Sequence, residues 1–197
     1  MTTRTPEDTR ERILDAALDL FADKGFHDSR LDEIVTESGT SKGSIYFHFP
    51  NKERLFLALI DKFVNLLERR VVAAIEQEPV GMGRVRTALT TVISTFGQYR
   101  RPAKLLLVQA GGLGQSFEQK RQEISQRFAH LIETYLREAI AVGDIPAVDT
   151  EVVSLAWMGA IEAVIIRWVY MGEPEPARIL QSLLPVLLHS VGYHDGE

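Results

Sequence analysis

Apolar residues recur every three to four positions along most of the chain, and no stretch sustains an apolar–polar alternation of period two. That pattern predicts an all-α protein of about nine helices and no sheet. Thr5-Pro6-Glu7-Asp8 announces the first helix: a hydroxyl to cap it, a proline at the first helical position where its missing N–H is harmless, and acids in the positive first turn. Ile13, Leu14, Ala17, Leu18 and Phe21 keep one apolar stripe, and Gly25 supplies the stop, with Phe26 able to fold back on the last turn. Ser29 is expected to cap a second helix, with Asp32 at the capping-box position, Leu31, Ile34 and Val35 inward, and Gly39 at its end. Thr40 or Ser41 caps a short third helix, Lys42 to Phe49, whose Ile45 and Phe49 face the first helix. Pro50-Asn51 then breaks the chain and caps a long fourth helix from Lys52, striped by Leu55, Phe56, Leu59, Ile60, Phe63, Leu66 and Leu67.

A Pro/Gly hinge over Glu78 to Gly83 precedes a fifth helix, marked by Val85, Leu89, Val92, Ile93 and Phe96, that meets Pro102. Lys104 to Ala110 reads as a short sixth helix, broken by Gly111, Gly112 and Gly114. Ser116 is expected to cap a long seventh, carrying Ile124 through Ile140. Two C-terminal helices follow, Thr150 to Met171 and Pro176 to Val191. In the first of them Trp157, Ile161, Val164 and Trp168 share a face, while Ala156, Gly159 and Ala163 lie nearly opposite, so burial on both sides is expected. The stretch is apolar enough to raise a membrane span, but Glu162 and Arg167 stand in its body, which favours a buried helix and no membrane partner. Pro185 interrupts the last helix and should kink it.

Composition narrows the chemistry. The absence of Cys excludes disulfides, thiolate metal sites and cysteine nucleophiles. The histidines, His27, His48, His130, His189 and His194, form no i, i+4 pair with an intervening Glu, so neither metal nor cofactor is expected. No nucleophile elbow, phosphate loop or dinucleotide fingerprint is present, and an enzyme is not expected. Met1 to Asp8 is polar, without the apolar core of a secretory signal, which points to the cytoplasm.

Two short helices joined by a Gly-containing turn and braced by a longer one make a helix-turn-helix, whose second helix can enter a major groove. Charge opposes that reading. The formal net charge is −5, and acids outnumber bases within the first 55 residues, so placement rather than number of cations must carry DNA binding. The competing reading is a helical protein-interaction module that keeps the turn alone.

Thr9 to Leu59 decides between them. Its runs A-x-x-L-F-x-x-K-G-F (Ala17–Phe26), L-x-x-I (Leu31–Ile34) and G-x-S-K-G-S-I-Y-x-H-F-x-N-K-E (Gly39–Glu53) resemble the DNA-binding domain of tetracycline-repressor (TetR) type regulators. The resemblance implies a helix-turn-helix domain over residues 1–51 and a helical effector-binding and dimerisation domain over 52–197. It further implies a homodimer on a two-fold symmetric, double-stranded operator, with the last two helices of each subunit forming a four-helix bundle.

Within that frame, Lys42, Gly43, Ser44, Phe47 and His48 occupy the solvent side of the third helix and are candidates for base edges. Tyr46, by resemblance, contacts phosphate. Lys52 puts a cation in the first turn of a helix, against the macrodipole, and a DNA phosphate would offset it. Arg30 should meet backbone or an adjacent base, and Ser29, Thr40 and Ser41 complete the face. The family often carries a basic residue two positions after Arg30. Asp32 stands there, which removes one expected contact.

The effector half diverges. The face of Trp157, Ile161 and Trp168 lines a cavity or is plain core, and Phe63, Phe96, Tyr99, Phe128 and Tyr135 are the other pocket candidates. Arg100, Arg101 and Lys104 form a basic cluster that either solvates itself or suits an acidic head group. Family members of fatty-acid and aromatic-acid catabolism answer to acyl-CoA thioesters, so the expected effector is an apolar or aromatic acid, with such thioesters among the candidates.

Overall fold

The computed structural model of this protein describes residues 5–109 and 113–194. Met1 to Arg4, the predicted break at Gly111 and Gly112, and the end of the sixth predicted helix at Ala110 lie outside them. Among the described residues the regular structure is helical throughout: α1 (Pro6–Lys24), α2 (Leu31–Ser38), α3 (Lys42–His48), α4 (Lys52–Ile75), α5 (Met82–Gln98), α6 (Arg100–Lys104), α7 (Gln115–Ala141), α8 (Thr150–Met171) and α9 (Pro176–Ser190). A π-helical turn, Leu105–Gln109, continues α6.

The helix ends follow local chemistry. Thr5 closes a reciprocal capping box with Asp8, and Gly25, at φ +87°, carries the chain out of α1. Ser41 Oγ accepts from the Ser44 N–H at 3.1 Å, so of the two candidate caps for α3 it is Ser41 that serves. Thr40 pairs instead with the Ser38 hydroxyl, 2.7 Å away. Asn51 caps α4 through the Arg54 N–H at 2.8 Å.

Three helix starts differ from expectation. The cap of α2 is Arg30, one residue later than predicted, with Glu33 rather than Asp32 accepting its N–H at 3.0 Å. Ser29 is drawn away because its hydroxyl faces the carbonyls at the end of α1, donating to Gly25 at 2.7 Å with Leu20 at 3.2 Å. Ser116 likewise caps nothing: its hydroxyl donates to Glu53 on α4 at 2.6 Å, and Gly114 precedes α7 instead. The sixth helix begins at Arg100, four residues before the predicted Lys104, because Pro102 falls within a first turn, where its missing N–H costs nothing.

Most of the buried core is one continuous cluster from Ile13 in α1 to Val191 beyond α9, with Val71, Ile75 and Ala88 forming a small second one between α4 and α5. α1, α2 and α3 pack into a compact triangle, and α1 also rests on α4 and α6. In the larger half α4 packs on α5, α5 on α9, and α7 on α8. α8 is long and apolar enough to cross a membrane by length and composition alone. Trp157, Ile161, Ile165 and Trp168 are buried in the core on one side, while Val152, Leu155, Ala156, Gly159, Ala163 and Met171 are exposed on the other.

Candidate functional site

The outer face of α3 is bare. Phe47 is 80 % exposed and Tyr46 46 %, while Ile45 on the opposite side is fully buried and anchors the helix to α1. Gly43 leaves the first turn of α3 without a side chain, and Lys42, Ser44 and Tyr46 stand around it. Lys42 Nζ lies 2.9 Å from an Asp32 carboxylate oxygen, and the pair holds the lysine above and the aspartate below their ordinary pKa ranges. A short exposed helix offering a gap, two aromatics and a held cation has the shape and donors to read base edges. Arg30 and His48 flank the same surface.

Ser29 and Lys52 have other duties. Ser29 is buried against the end of α1. Lys52 Nζ donates to the carbonyls of Phe26 at 2.6 Å, Ser29 at 2.9 Å and His27 at 3.3 Å, and lies 4.5 Å from the Phe26 ring centroid. Three carbonyls therefore satisfy the ammonium that the α4 macrodipole disfavours, and no phosphate is needed to offset it. Partial burial depresses the pKa of Lys52. The side chain is a staple that ties the α1–α2 loop to the start of α4.

That staple borders an aromatic hub. Phe26 lies 5.3 Å from Phe56 of α4 and 5.4 Å from Phe117 of α7, centroid to centroid, and Phe21 of α1 closes the group at 5.4 Å from Phe56. Tilted and edge-on pairs at such separations stabilise beyond the area they bury, by about 0.5–1.5 kcal/mol each. α7 thus touches the helix-turn-helix domain through Phe117 on Phe26, and the start of α4 through Ser116 on Glu53.

Four residues after Phe117, α7 enters the wall of an almost wholly apolar cavity of about 80 Å³. α4 contributes Leu67 and Val71, α5 Ala88, Leu89, Val92 and Phe96, the π-helical turn Leu106 and Leu107, and α8 Met158, Ile161, Glu162 and Ile165. Along α7 the lining runs from Arg121 to Tyr135, about 21 Å at 1.5 Å per residue. The cavity wall therefore follows α7 for about four turns. Arg121 is the cation on its wall, its Nη1 3.6 Å from Glu162 and its Nε 3.3 Å from Glu118. At the far end burial pushes the Tyr135 hydroxyl pKa up.

The sequence profile described as bacterial regulatory proteins, tetR family, matches residues 13–59. Over 147 residues the chain is 31 % identical to the HTH-type transcriptional regulator SrpR of Pseudomonas putida, covering 74 % of this chain and 67 % of that protein. The chain belongs to the TetR family. TetR proteins are transcriptional regulators rather than enzymes, and the helix-turn-helix followed by a helical domain is the TetR architecture. A second relative, the fatty acid metabolism regulator protein of Bacillus subtilis, is 28 % identical over 164 residues, covering 80 % of this chain and 82 % of its own length. Among solved structures, FadR from Bacillus subtilis in complex with stearoyl-CoA superposes with a TM-score of 0.81 at 22 % identity, over 94 % of this chain and 99 % of that one.

Set on the TetR frame, the predicted effector residues divide. Phe96, Phe128, Tyr135 and Ile161 line the cavity; Phe63, Tyr99, Arg100, Arg101, Lys104, Trp157 and Trp168 do not. Trp157 is core, its indole N–H donating to Ser190 at 3.1 Å, and Phe63 packs edge-on to Phe96 behind the wall. The basic cluster faces the helix ends. Arg100 donates to the Val169 carbonyl at 2.8 Å and covers the Trp168 ring, Arg101 pairs with Asp19 and Asp23 of α1, and Lys104 donates to the Ala22 carbonyl. Its cations join α6 to α1 and α8, Arg100 and Lys104 through carbonyls near the helix ends and Arg101 through two carboxylates. The sequence reading missed Leu67, Val71 and Arg121. Arg121 was findable, since it sits seven residues before Phe128 on the same face of α7.

Proposed function

We propose that this TetR-family regulator is a one-component transcriptional repressor that binds a two-fold symmetric operator as a homodimer and leaves it when an acidic amphiphile fills the cavity. Residues 1–51 form the DNA-binding domain and 52–197 the effector and dimerisation domain. Lys42, Gly43, Ser44, Phe47 and His48 read bases, Arg30 and Tyr46 hold backbone, and Lys52 fixes the position of α2 from behind. The effector is an apolar acid, acyl-CoA thioesters first, and no metal or cofactor takes part. The protein works in the cytoplasm.

The observation that carries this reading is that α4 and α7 both wall the cavity and both end on the helix-turn-helix, at Lys52, Phe56 and Phe117. Drug-sized ligands occupy pockets of about 300–1,000 Å³, so a chain long enough to span this cavity enters only by spreading helices that also set the two reading heads. Apolarity and a wall that follows α7 support an acyl chain, in keeping with the fatty-acid regulator among its relatives, and an anionic end would reach Arg121 by taking the place of Glu118 or Glu162. The bare apolar side of α8, with Val186 of α9 61 % exposed beside it, supports a second copy as its cover.

Calorimetry with acyl-CoA of increasing chain length, on free and operator-loaded protein, tests the proposal. The expected result is affinity rising with chain length and falling in the presence of DNA by about 5- to 150-fold, the range of ordinary allosteric coupling. Equal affinity for both forms removes the basis for the switch.

A further inference from the structure

Several cations of the helix-turn-helix domain and the start of α4 are already engaged by the protein itself. Arg12 donates to the carbonyls of Ser38 and Gly39, Lys24 lies 2.6 Å from Glu33, and Lys52 holds its three carbonyls. Among the described residues, only Lys42 of these engaged cations stands at the start of α3 on the bare face, and it is paired there with Asp32 at 2.9 Å. Both side chains are well exposed, 58 % and 60 %, and an ion pair in that setting contributes little to stability. Its effect is on what the face can bind.

Resting on the DNA-reading role proposed above, we infer that Asp32 is a specificity-determining residue: its carboxylate cancels the charge of Lys42 toward phosphate while leaving the lysine able to donate to a base edge.

Phosphate affinity comes from charge, because each neutralised phosphate releases counterions, and a lysine already paired to a carboxylate brings no net charge to release them. An incoming phosphate oxygen would also meet the Asp32 carboxylate. Guanine O6 and N7 are neutral acceptors and meet no such opposition. The ammonium has three hydrogens, so it can keep its bond to Asp32 while a second hydrogen reaches a base. Asp32 thereby fixes the reach of Lys42 and lowers adhesion to random sequence, turning a potential backbone contact into a reader. A face with few free cations discriminates by its base contacts, since the sequence-blind term is small.

The test uses the full chain, DNA selected from a random library by the wild type, and a scrambled duplex of the same length. Asp32→Asn keeps shape and hydrogen bonding while removing charge. The expected result is scrambled-duplex affinity raised about eightfold at 0.1 M salt, with a salt slope steeper by about 0.9, one phosphate's worth. Affinity for the selected site rises less, so the ratio of selected to scrambled binding falls. In a Lys42→Gln background, Asp32→Asn should lose most of that gain. No gain on scrambled DNA from Asp32→Asn overturns the inference, and an equal gain with Lys42 absent overturns the pairing. If the wild type enriches no sequence at all, the DNA-reading role itself falls, a separate and recognisable failure.

Discussion

Lys52 shows how much a residue's meaning depends on what folds against it. At the start of a helix, a cation invites a phosphate; among the carbonyls of Phe26, His27 and Ser29 it is satisfied from within. Lys52→Met should therefore lower unfolding stability by about 1–3 kcal/mol, the range for a few hydrogen bonds to a charged group, as read by urea denaturation. It should weaken DNA binding without changing the salt slope. Intact stability with a slope reduced by about 0.9 would restore the direct phosphate role. Tyr46→Phe, by contrast, should weaken selected and scrambled DNA alike, if the exposed Tyr46 meets phosphate as proposed. Caps were legible wherever the partner lay a few residues away, as at Thr5 and Asn51. Ser29 and Ser116 misled because their partners come from other helices, and short-range pattern holds no record of tertiary neighbours.

Among elements, α7 has the most to do. It runs from the aromatic hub at Phe117 along the wall of the cavity, so one helix joins the helix-turn-helix domain to the cavity beside α4. The helix itself was plain from its stripe, and Phe128 and Tyr135 stood out as pocket candidates, but nothing in the sequence tied its start to the helix-turn-helix domain. Its contact with α1 and α4 depends on Phe117, whose role is visible only once Phe26 and Phe56 stand next to it. Phe117→Leu should keep a hydrophobic plug yet loosen the hub, reducing the factor by which an effector weakens DNA binding more than it changes either affinity alone. Paired titrations on variant and wild type give that factor directly. Arg121→Gln should weaken acyl-CoA binding about tenfold, 1.4 kcal/mol, while a neutral alkyl ligand of equal length is little affected. Equal losses for both ligands would mean that Arg121 shapes the wall and does not hold the head group.

Over the whole molecule, the periodic stripes made the helical class, the helix-turn-helix and the bounds of α8 readable, since each is a local pattern repeated. Which aromatics would enclose space was not readable, because a core and a cavity wall use the same residues at the same spacing. The two tryptophans of α8 closed into core, while Ile161 of the same face and the neighbouring Met158, Glu162 and Ile165 became the wall. The other side of α8 fits a two-fold partner: a Cβ at Gly159 meets nothing within 4 Å in the single chain, so Gly159→Leu should fold normally and obstruct only a second copy. Light scattering should then show a monomer with native circular dichroism and a large loss of operator affinity. The central claim, that two copies of α3 read a symmetric duplex, is tested most directly by selecting bound sequences from random DNA. Two inverted half-sites whose spacing is a multiple of one helical turn are expected, with loss of preference within each half when Lys42 is changed to Ala. Enrichment of a single unrepeated motif, or of nothing, would contradict it.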